Sequence, residues 1–234
     1  MGQGILKKIR LILDCFLEII FPEPITCTMC GRVLKEANKY YLCTGCLSQI
    51  KCYSNSENKI PVEESIFKQD LHMAFDETYS ACVYEGISRD LVHKLKYKDK
   101  QNIAKTMAAM IKDVLGNDLK YDMIVPVPIH PSRLKKRGYN QGELIASELE
   151  NIVNIPMIKA LKRTKNTPSQ VLFNERDRWY NVKCAFSCTL NLKGKRILLI
   201  DDVITTGATA HYCAETLKAS GAVYVTAVSF ARTK

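Results

Sequence analysis

One stretch near the C-terminus constrains the fold more than any other: Arg196-Ile197-Leu198-Leu199-Ile200-Asp201-Asp202-Val203-Ile204-Thr205-Thr206-Gly207-Ala208-Thr209. Its short, uninterrupted apolar run suits a strand buried on both faces, and such strands belong to parallel sheets covered by helices. Two adjacent carboxylates follow, then a polar loop to Thr206, a helix to about Ser220 with Gly221 as its stop, and a β-branched strand over Ala222–Phe230. This β-loop-α-β order implies an α/β fold with a parallel sheet, which binds ligands at the carboxyl ends of its strands. Backbone N–H groups opening the helix, together with the hydroxyls of Thr205, Thr206 and Thr209, can surround a phosphate. Carboxylates beside such a nest repel an anion unless the two sets face different parts of it. The ligand is therefore expected to carry hydroxyls between phosphates.

Upstream, strands are expected over Tyr79–Tyr84 and Met123–Val127, with helices over much of Ser88–Leu115 and over Gln141–Ile152. Ile124 to Gln141 reads as a strand, a proline-stiffened loop, and a cationic turn before a helix. Its Arg133, Lys135, Lys136 and Arg137 concentrate positive charge suited to pyrophosphate. Arg163-Thr164-Lys165-Asn166-Thr167-Pro168-Ser169-Gln170 opens a polar stretch to Asn181, as long as an uncovered loop in a compact domain ever is.

A second constraint lies earlier. Cys27 and Cys30 form one CxxC pair and Cys43 and Cys46 another, twelve residues apart, so each pair can hold one side of a tetrahedron around a single ion. Gly31 and Gly45 sit beside the pairs, where tight chain reversals fall. Four thiolates leave no open position, so a structural Zn²⁺ is expected, contributing folding energy to a module too small for its own core. Cys52 is a spare ligand at most, and Cys15, Cys82, Cys184, Cys188 and Cys213 read as small core hydrophobes.

Leu6, Ile9, Leu13, Phe16, Leu17 and Ile20 recur at helical spacing, which predicts an amphipathic leader helix over residues 1–24, closed by Pro22 and Pro24. Its apolar run, broken by Asp14 and Glu18, is shorter than the roughly 20 residues a membrane span needs. The cysteine module and a polar linker occupy residues 25–70, and one α/β body fills residues 71–234. Of the net charge of +10 over 234 residues, residues 71–234 carry nine, so the body favours anionic partners. Ten cysteines with no cleavable signal peptide point to a reducing, cytoplasmic compartment. Of the four histidines, His130 alone falls within a motif, and His72, His93 and His211 receive no role.

The segment from Leu198 to Thr209 closely resembles the phosphoribosyl pyrophosphate (PRPP) signature of type I phosphoribosyltransferases. The resemblance implies that fold: a central parallel sheet flanked by helices, here preceded by a small zinc-ribbon module. It implies further that Asp201 and Asp202 hold the 2′ and 3′ ribose hydroxyls, that Thr205, Thr206, Gly207, Ala208 and Thr209 cradle the 5′-phosphate, and that Mg²⁺ rides on the diphosphate. Ile124 to Gln141 looks like the pyrophosphate-loop region of ComF-family competence proteins, which places Arg133, Lys136 and Arg137 at the diphosphate. The stretch from Arg163 resembles the flexible catalytic loop, with Arg163 and Lys165 as catalytic candidates and Arg176 and Arg178 further along.

The ComF resemblance covers nearly the whole chain, including Phe21-Pro22, the cysteine pairs, Tyr84-Glu85-Gly86 and Lys94-Leu95-Lys96-Tyr97-Lys98. A second cysteine-paired ribbon, carried by many relatives, has no ligands here after Cys52. The family implies a role in DNA uptake during natural competence, with PRPP, single-stranded DNA and a competence helicase as partners. Two classes of function stay open. One is transfer of phosphoribose to an unidentified acceptor, nucleobase salvage included; the other is a non-catalytic factor that senses PRPP or binds single-stranded DNA. Tyr97, Tyr139, Trp179 and Tyr180, near the cations, are candidates for stacking on bases.

Overall fold

The computed structural model describes residues 25–36, 38–53, 59–60, 73–95, 100–165, 179 and 182–233. The leader helix expected over residues 1–24, most of the linker, Cys15, His72, Tyr97, Arg176, Arg178, Tyr180 and the stretch 166–178 lie outside them.

The apolar runs become strands of a five-stranded sheet. The strands are β1 (Lys59–Ile60), β2 (Glu77–Val83), β3 (Met123–Pro126), β6 (Arg196–Ile204) and β7 (Tyr224–Arg232), ordered β1-β2-β7-β6-β3. All neighbours run parallel except β1, which pairs antiparallel with β2 within the span expected to be linker. β4 (Leu161–Arg163) and β5 (Phe186–Cys188) form a separate antiparallel pair.

Alternation along β6 divides the interior. Leu198 and Ile200 face a layer built from α3 (Lys100–Leu115) and α5 (Gln141–Val153), through Ile103, Met107, Ile111, Ile145 and Leu149. Ile197 and Leu199 face the opposite layer, with Leu161, Phe186 and the Cys213 and Leu217 of α6 (Ala208–Ala219). Every one of these side chains is buried, as a parallel strand covered on both faces requires.

The stretch Ser88–Leu115 is largely helical as expected, in α2 (Gly86–Leu95) and α3, with residues 96–99 outside the described set. Two expectations are corrected. The cationic turn is a helix, α4 (Pro131–Arg137). The His130 ring accepts from the Ser132 N–H at its start, Pro131 supplies a pre-set φ in the first turn, and Gly138 at φ 80° stops it. Its cations fall in the last turn, where the helix dipole favours them. β6 does not end at Ile200: β7 stays paired with it as far as Ile204, so the acid pair stands on a strand rather than in a loop.

The cysteine module packs directly on the α/β body. Cys27, Leu42, Cys43, Cys46 and Ile50 belong to the same apolar cluster as Leu91, Leu95, Ala104 and Met107. Polar contacts fix the junction: Lys39 pairs with Asp113 at 2.8 Å, the Tyr40 hydroxyl donates to the same carboxylate, and Thr106 Oγ1 donates to the Tyr40 carbonyl. The chain then pairs across Cys52 and Cys82, extending the sheet at the β2 edge.

Candidate functional site

The cleft begins where β3 leaves the sheet. β3 pairs with β6 only to Pro126 and Ile200; the Val127 N–H still donates to the Ile200 carbonyl, but Pro128 has no N–H to continue the ladder. From Asp201 onward one edge of β6 is therefore clear of β3. Each acid there accepts the N–H of the residue after it, Asp202 N to Asp201 Oδ1 and Val203 N to Asp202 Oδ1, both at 2.9 Å, which holds the two carboxylates at that edge. Burial, and then the charge of Asp202, push the Asp201 carboxyl well above its ordinary value.

Beyond the acids, Gly207 adopts φ 71° as the N-cap of α6, a left-handed conformation that turns the chain so that Ala208, Thr209 and Ala210 open the helix into the cleft. The first turn holds no acidic side chain, so the positive end of the helix dipole is unopposed there. Thr206 is buried, and Thr205 and Thr209 half-buried, beside these N–H groups.

The opposite wall is cationic. Arg133 and Arg137 reach the cleft from α4, and Arg163 from the end of β4. Arg163 is buried, with its guanidinium over the Phe186 ring at 5.5 Å. Burial and the nearby Arg133 charge lower its pKa, while Asp201 acts the other way. Burial also lowers Arg133, as does the Arg137 charge. Three guanidiniums that repel one another across roughly 310 Å³ form a site prepared for a multiply charged anion.

Asp201, Asp202, Thr205, Thr206, Gly207, Ala208, Thr209, Arg133, Arg137 and Arg163 thus line one cleft. Lys136 and Lys165 do not. Lys136 is exposed on α4, and Lys165 Nζ donates to the Lys183 carbonyl at 3.1 Å on the surface. Arg163, expected to open a loop, is instead a strand residue paired with Phe186.

Tyr84, Asn140, Gln141 and Gly142 also line the cleft; the first three fall in segments that carried the family resemblance but were given no individual role, and Gly142 lay outside those segments. Asn140 caps α5 by accepting from the Gly142 N–H and donates to the Val127 carbonyl at 2.9 Å. The available signal was an Asn directly before a helical run, an N-cap signature. The stacking candidates with described side chains are structural: Tyr139 donates to the Leu95 carbonyl, and Trp179 packs edge-on against His211 and Tyr212. His211 is buried and accepts from the Ala74 N–H. Cys82 and Cys213 are core residues as expected, but Cys184 is exposed at φ 54°, since it sits in a turn before β5 rather than on a buried strand face.

A second centre lies in the cysteine module. The sulfurs of Cys27, Cys30, Cys43 and Cys46 all lie within 4.8 Å of one another, and all four are free thiols. Gly31, at φ 74°, turns the first pair back so that its N–H donates to the Cys27 carbonyl; Cys43 caps α1 (Thr44–Leu47), which carries Cys46. Burial alone would raise the Cys27 thiol, yet hydrogen bonds from Cys30, Cys43 and Met29 bring it down to about 6. A thiolate is thereby favoured, the form that ligates a metal ion. Cys52 stands outside the cluster.

The model of the phosphoribosyl transferase domain matches residues 93–234, more than half the chain. "Competence protein F" of Haemophilus influenzae is 28% identical over 82% of this chain and 85% of that protein. "Competence protein ComFC" of Bacillus subtilis is 24% identical over 94% of this chain and 92% of that one. "DNA utilization protein YhgH" of Escherichia coli is 31% identical over 61% of this chain and 66% of its own length. Among solved structures, UMP synthase of Leishmania donovani aligns over 59% of this chain and 24% of that chain, at 21% identity and a TM-score of 0.35. The chain spans about a quarter of that enzyme. No helix among the described residues is long and apolar enough to cross a membrane. With the domain model matched over residues 93–234, the ComF resemblance matched by relatives of those names and the acid pair carried on the parallel sheet, the chain belongs to the phosphoribosyl transferase domain family.

Proposed function

We propose that the cleft binds PRPP with Mg²⁺, and that the protein acts in DNA uptake, as the names of its relatives suggest. The observation that carries the reading is the division of the cleft. Carboxylates at the β6 edge accept from sugar hydroxyls, the open end of α6 with its threonines takes a phosphate, and three arginines meet a diphosphate. No simple anion satisfies all three, because the acids would repel it.

In phosphoribose transfer the bond from the anomeric carbon to the diphosphate breaks, and a nucleophile of the acceptor takes its place. Asp201 and Asp202 hold the ring and favour the positive charge that develops on it. Arg133, Arg137 and Arg163 stabilise the departing pyrophosphate, and the loop Thr205–Gly207 with the start of α6 anchors the other end of the sugar. The carboxylates and the diphosphate oxygens are hard donors that suit Mg²⁺, which would add charge neutralisation at the leaving group.

The four thiols fit zinc. With Zn–S near 2.3 Å, a tetrahedral site has sulfur–sulfur edges of about 3.8 Å, and Cys30 and Cys43 stand 3.7 Å apart. Cys27, Cys30, Cys43 and Cys46 would hold the ion closed to substrate, fixing the module on α3.

Calorimetric titration with PRPP and Mg²⁺, followed by a pyrophosphate-release assay across candidate acceptors, nucleobases included, tests the reading. Binding with release makes the protein a transferase. Binding without release makes it a PRPP sensor, and no binding removes the proposal. A second reading, contact with single-stranded DNA, is favoured by Lys135 and Lys136, which stand exposed outside the cleft.

A further inference from the structure

Lys94 stands in the last turn of α2, on the surface of the α/β body where the cysteine module meets it. Its ammonium donates to two main-chain carbonyls, those of Thr28 and Met29, which lie 66 and 65 positions earlier in the sequence. Both carbonyls belong to the turn between Cys27 and Cys30, so a cation of the body touches the backbone that carries the first thiol pair.

The opposite edge of the same two peptide units faces a sulfur. Cys27 takes hydrogen bonds from the backbones of Met29 and Cys30. The Met29 N–H shares its peptide plane with the Thr28 carbonyl, and the Cys30 N–H shares one with the Met29 carbonyl. These bonds are trans, so the N–H and the carbonyl of each unit point in opposite directions. Each unit therefore has an ammonium at its oxygen end and the Cys27 sulfur at its hydrogen end. Drawing the carbonyls toward Lys94 turns both N–H groups onto Cys27.

The helix that presents Lys94 is anchored. Leu91 and Leu95 are fully buried in the cluster that contains Cys27, Cys43 and Cys46, and the Leu95 carbonyl accepts from the Tyr139 hydroxyl. Four thiolates more than neutralise one Zn²⁺, so the centre they form would be anionic beside an apolar cluster. Such a group is stable only with donors and opposite charge around it.

We propose that Lys94 is a positioning residue for the metal centre: through the Thr28 and Met29 peptide units it aims two N–H donors at Cys27, and it brings a positive charge from the α/β body to the zinc–thiolate group. The inference rests on the zinc reading of the four cysteines and adds that α2 completes the site. Lys39 provides the contrast, since it also joins module to body, but through Asp113 of α3 rather than through the Cys27–Cys30 turn.

The test is competition for Zn²⁺ against a chromophoric chelator, on the full chain and on Lys94→Met, Lys94→Arg and Lys39→Met, with absorption spectra of the same proteins loaded with Co²⁺. Methionine removes the charge and the donors; arginine keeps both. Lys94→Met is expected to hold zinc about tenfold more weakly, the usual cost of losing a partner that orients a ligand. Its thiolate-to-Co²⁺ charge-transfer band should move to longer wavelength, because a sulfur stripped of N–H donors gives up electron density more readily. Lys94→Arg should recover most of both effects, and Lys39→Met should match the parent in affinity and spectrum. Unchanged affinity in Lys94→Met, an equal loss in Lys39→Met, a loss with no shift of the band, or no recovery in Lys94→Arg would each overturn the proposal. If the parent takes up no zinc, the zinc reading fails and this one with it. If the parent and Lys94→Met hold zinc equally well, the zinc reading stands and only the role of Lys94 is removed.

Discussion

Arg163 and Asp201 share one cleft from different sheets, the arginine at the end of the two-stranded β4–β5 pair and the acid on β6 of the main sheet, close enough for each charge to act on the other. The attraction does not outweigh burial: Asp201 is raised all the same, and Arg163 lowered. Burial thus works against the charged form of both side chains.

For Asp201 the sign follows directly. A carboxyl whose folded value lies above its unfolded one penalises the native state at high pH, and the penalty fades as pH falls through the raised value. Asp201→Asn is therefore expected to raise the melting temperature of the ligand-free protein at pH 8, by the few degrees that about 1 kcal/mol produces in a chain of this size. The gain should shrink toward pH 5, and PRPP binding should be lost. Thermal melts at the two pH values, with calorimetry at pH 8, check all three.

The cationic run separates in space into two pairs. Arg133→Ala and Arg137→Ala should weaken PRPP by at least tenfold, as charge-assisted contacts of 1.5 kcal/mol or more would. Lys135→Ala and Lys136→Ala, being outside the cleft, should leave it within about twofold. If single strands bind this face, the two lysine variants should instead flatten the salt dependence of oligonucleotide affinity, by about 0.7 in log–log slope per contact. Parallel titrations over a range of salt concentrations read both effects.

Gly142→Ala places a methyl against two backbone carbonyls that cannot swing away. Either α5 or the strand ends must shift by a few tenths of an ångström. A lower melting temperature and weaker PRPP binding are expected together, because Gln141 and Asp201 are carried by the elements that move. Differential scanning calorimetry and titration of the one variant suffice.

If the four thiols hold zinc as proposed, its removal should reach beyond the cysteine module, since Cys27, Cys43 and Cys46 share their apolar cluster with α2 and α3. One zinc per chain by elemental analysis is expected, and Cys43→Ser or a strong chelator should lower the melting temperature of the whole protein. An unchanged melt after complete metal loss would show that the module folds without it.

Residue order was enough to show local chemistry. The apolar run Ile197–Ile200 has no alternation to exploit and so specifies a strand covered twice; the hydroxyl loop and Gly207 follow from what a helix start needs, and the four cysteines from what a tetrahedral ion needs. Residues 131–137 misled because a run of cations reads as solvated surface, whereas Pro131, the His130 cap and Gly138 together make a short helix. β6 proved longer than expected because the extension is stabilised by β7, a partner twenty or more residues away that no local pattern announces.

What the chain determines by itself is thus the set of elements, the acid pair, the hydroxyl-lined loop and the thiol cluster, each encoded within a few consecutive positions or in a spacing. Which cations line the cleft, Arg133, Arg137 and Arg163 but not Lys136 or Lys165, was decided only by the tertiary structure. So was the burial of Gln141, its Oε1 tied to Arg137. Side-chain direction depends on how a four-residue strand ends at a proline and how a helix wedges into the gap, and those are contacts between segments far apart in sequence.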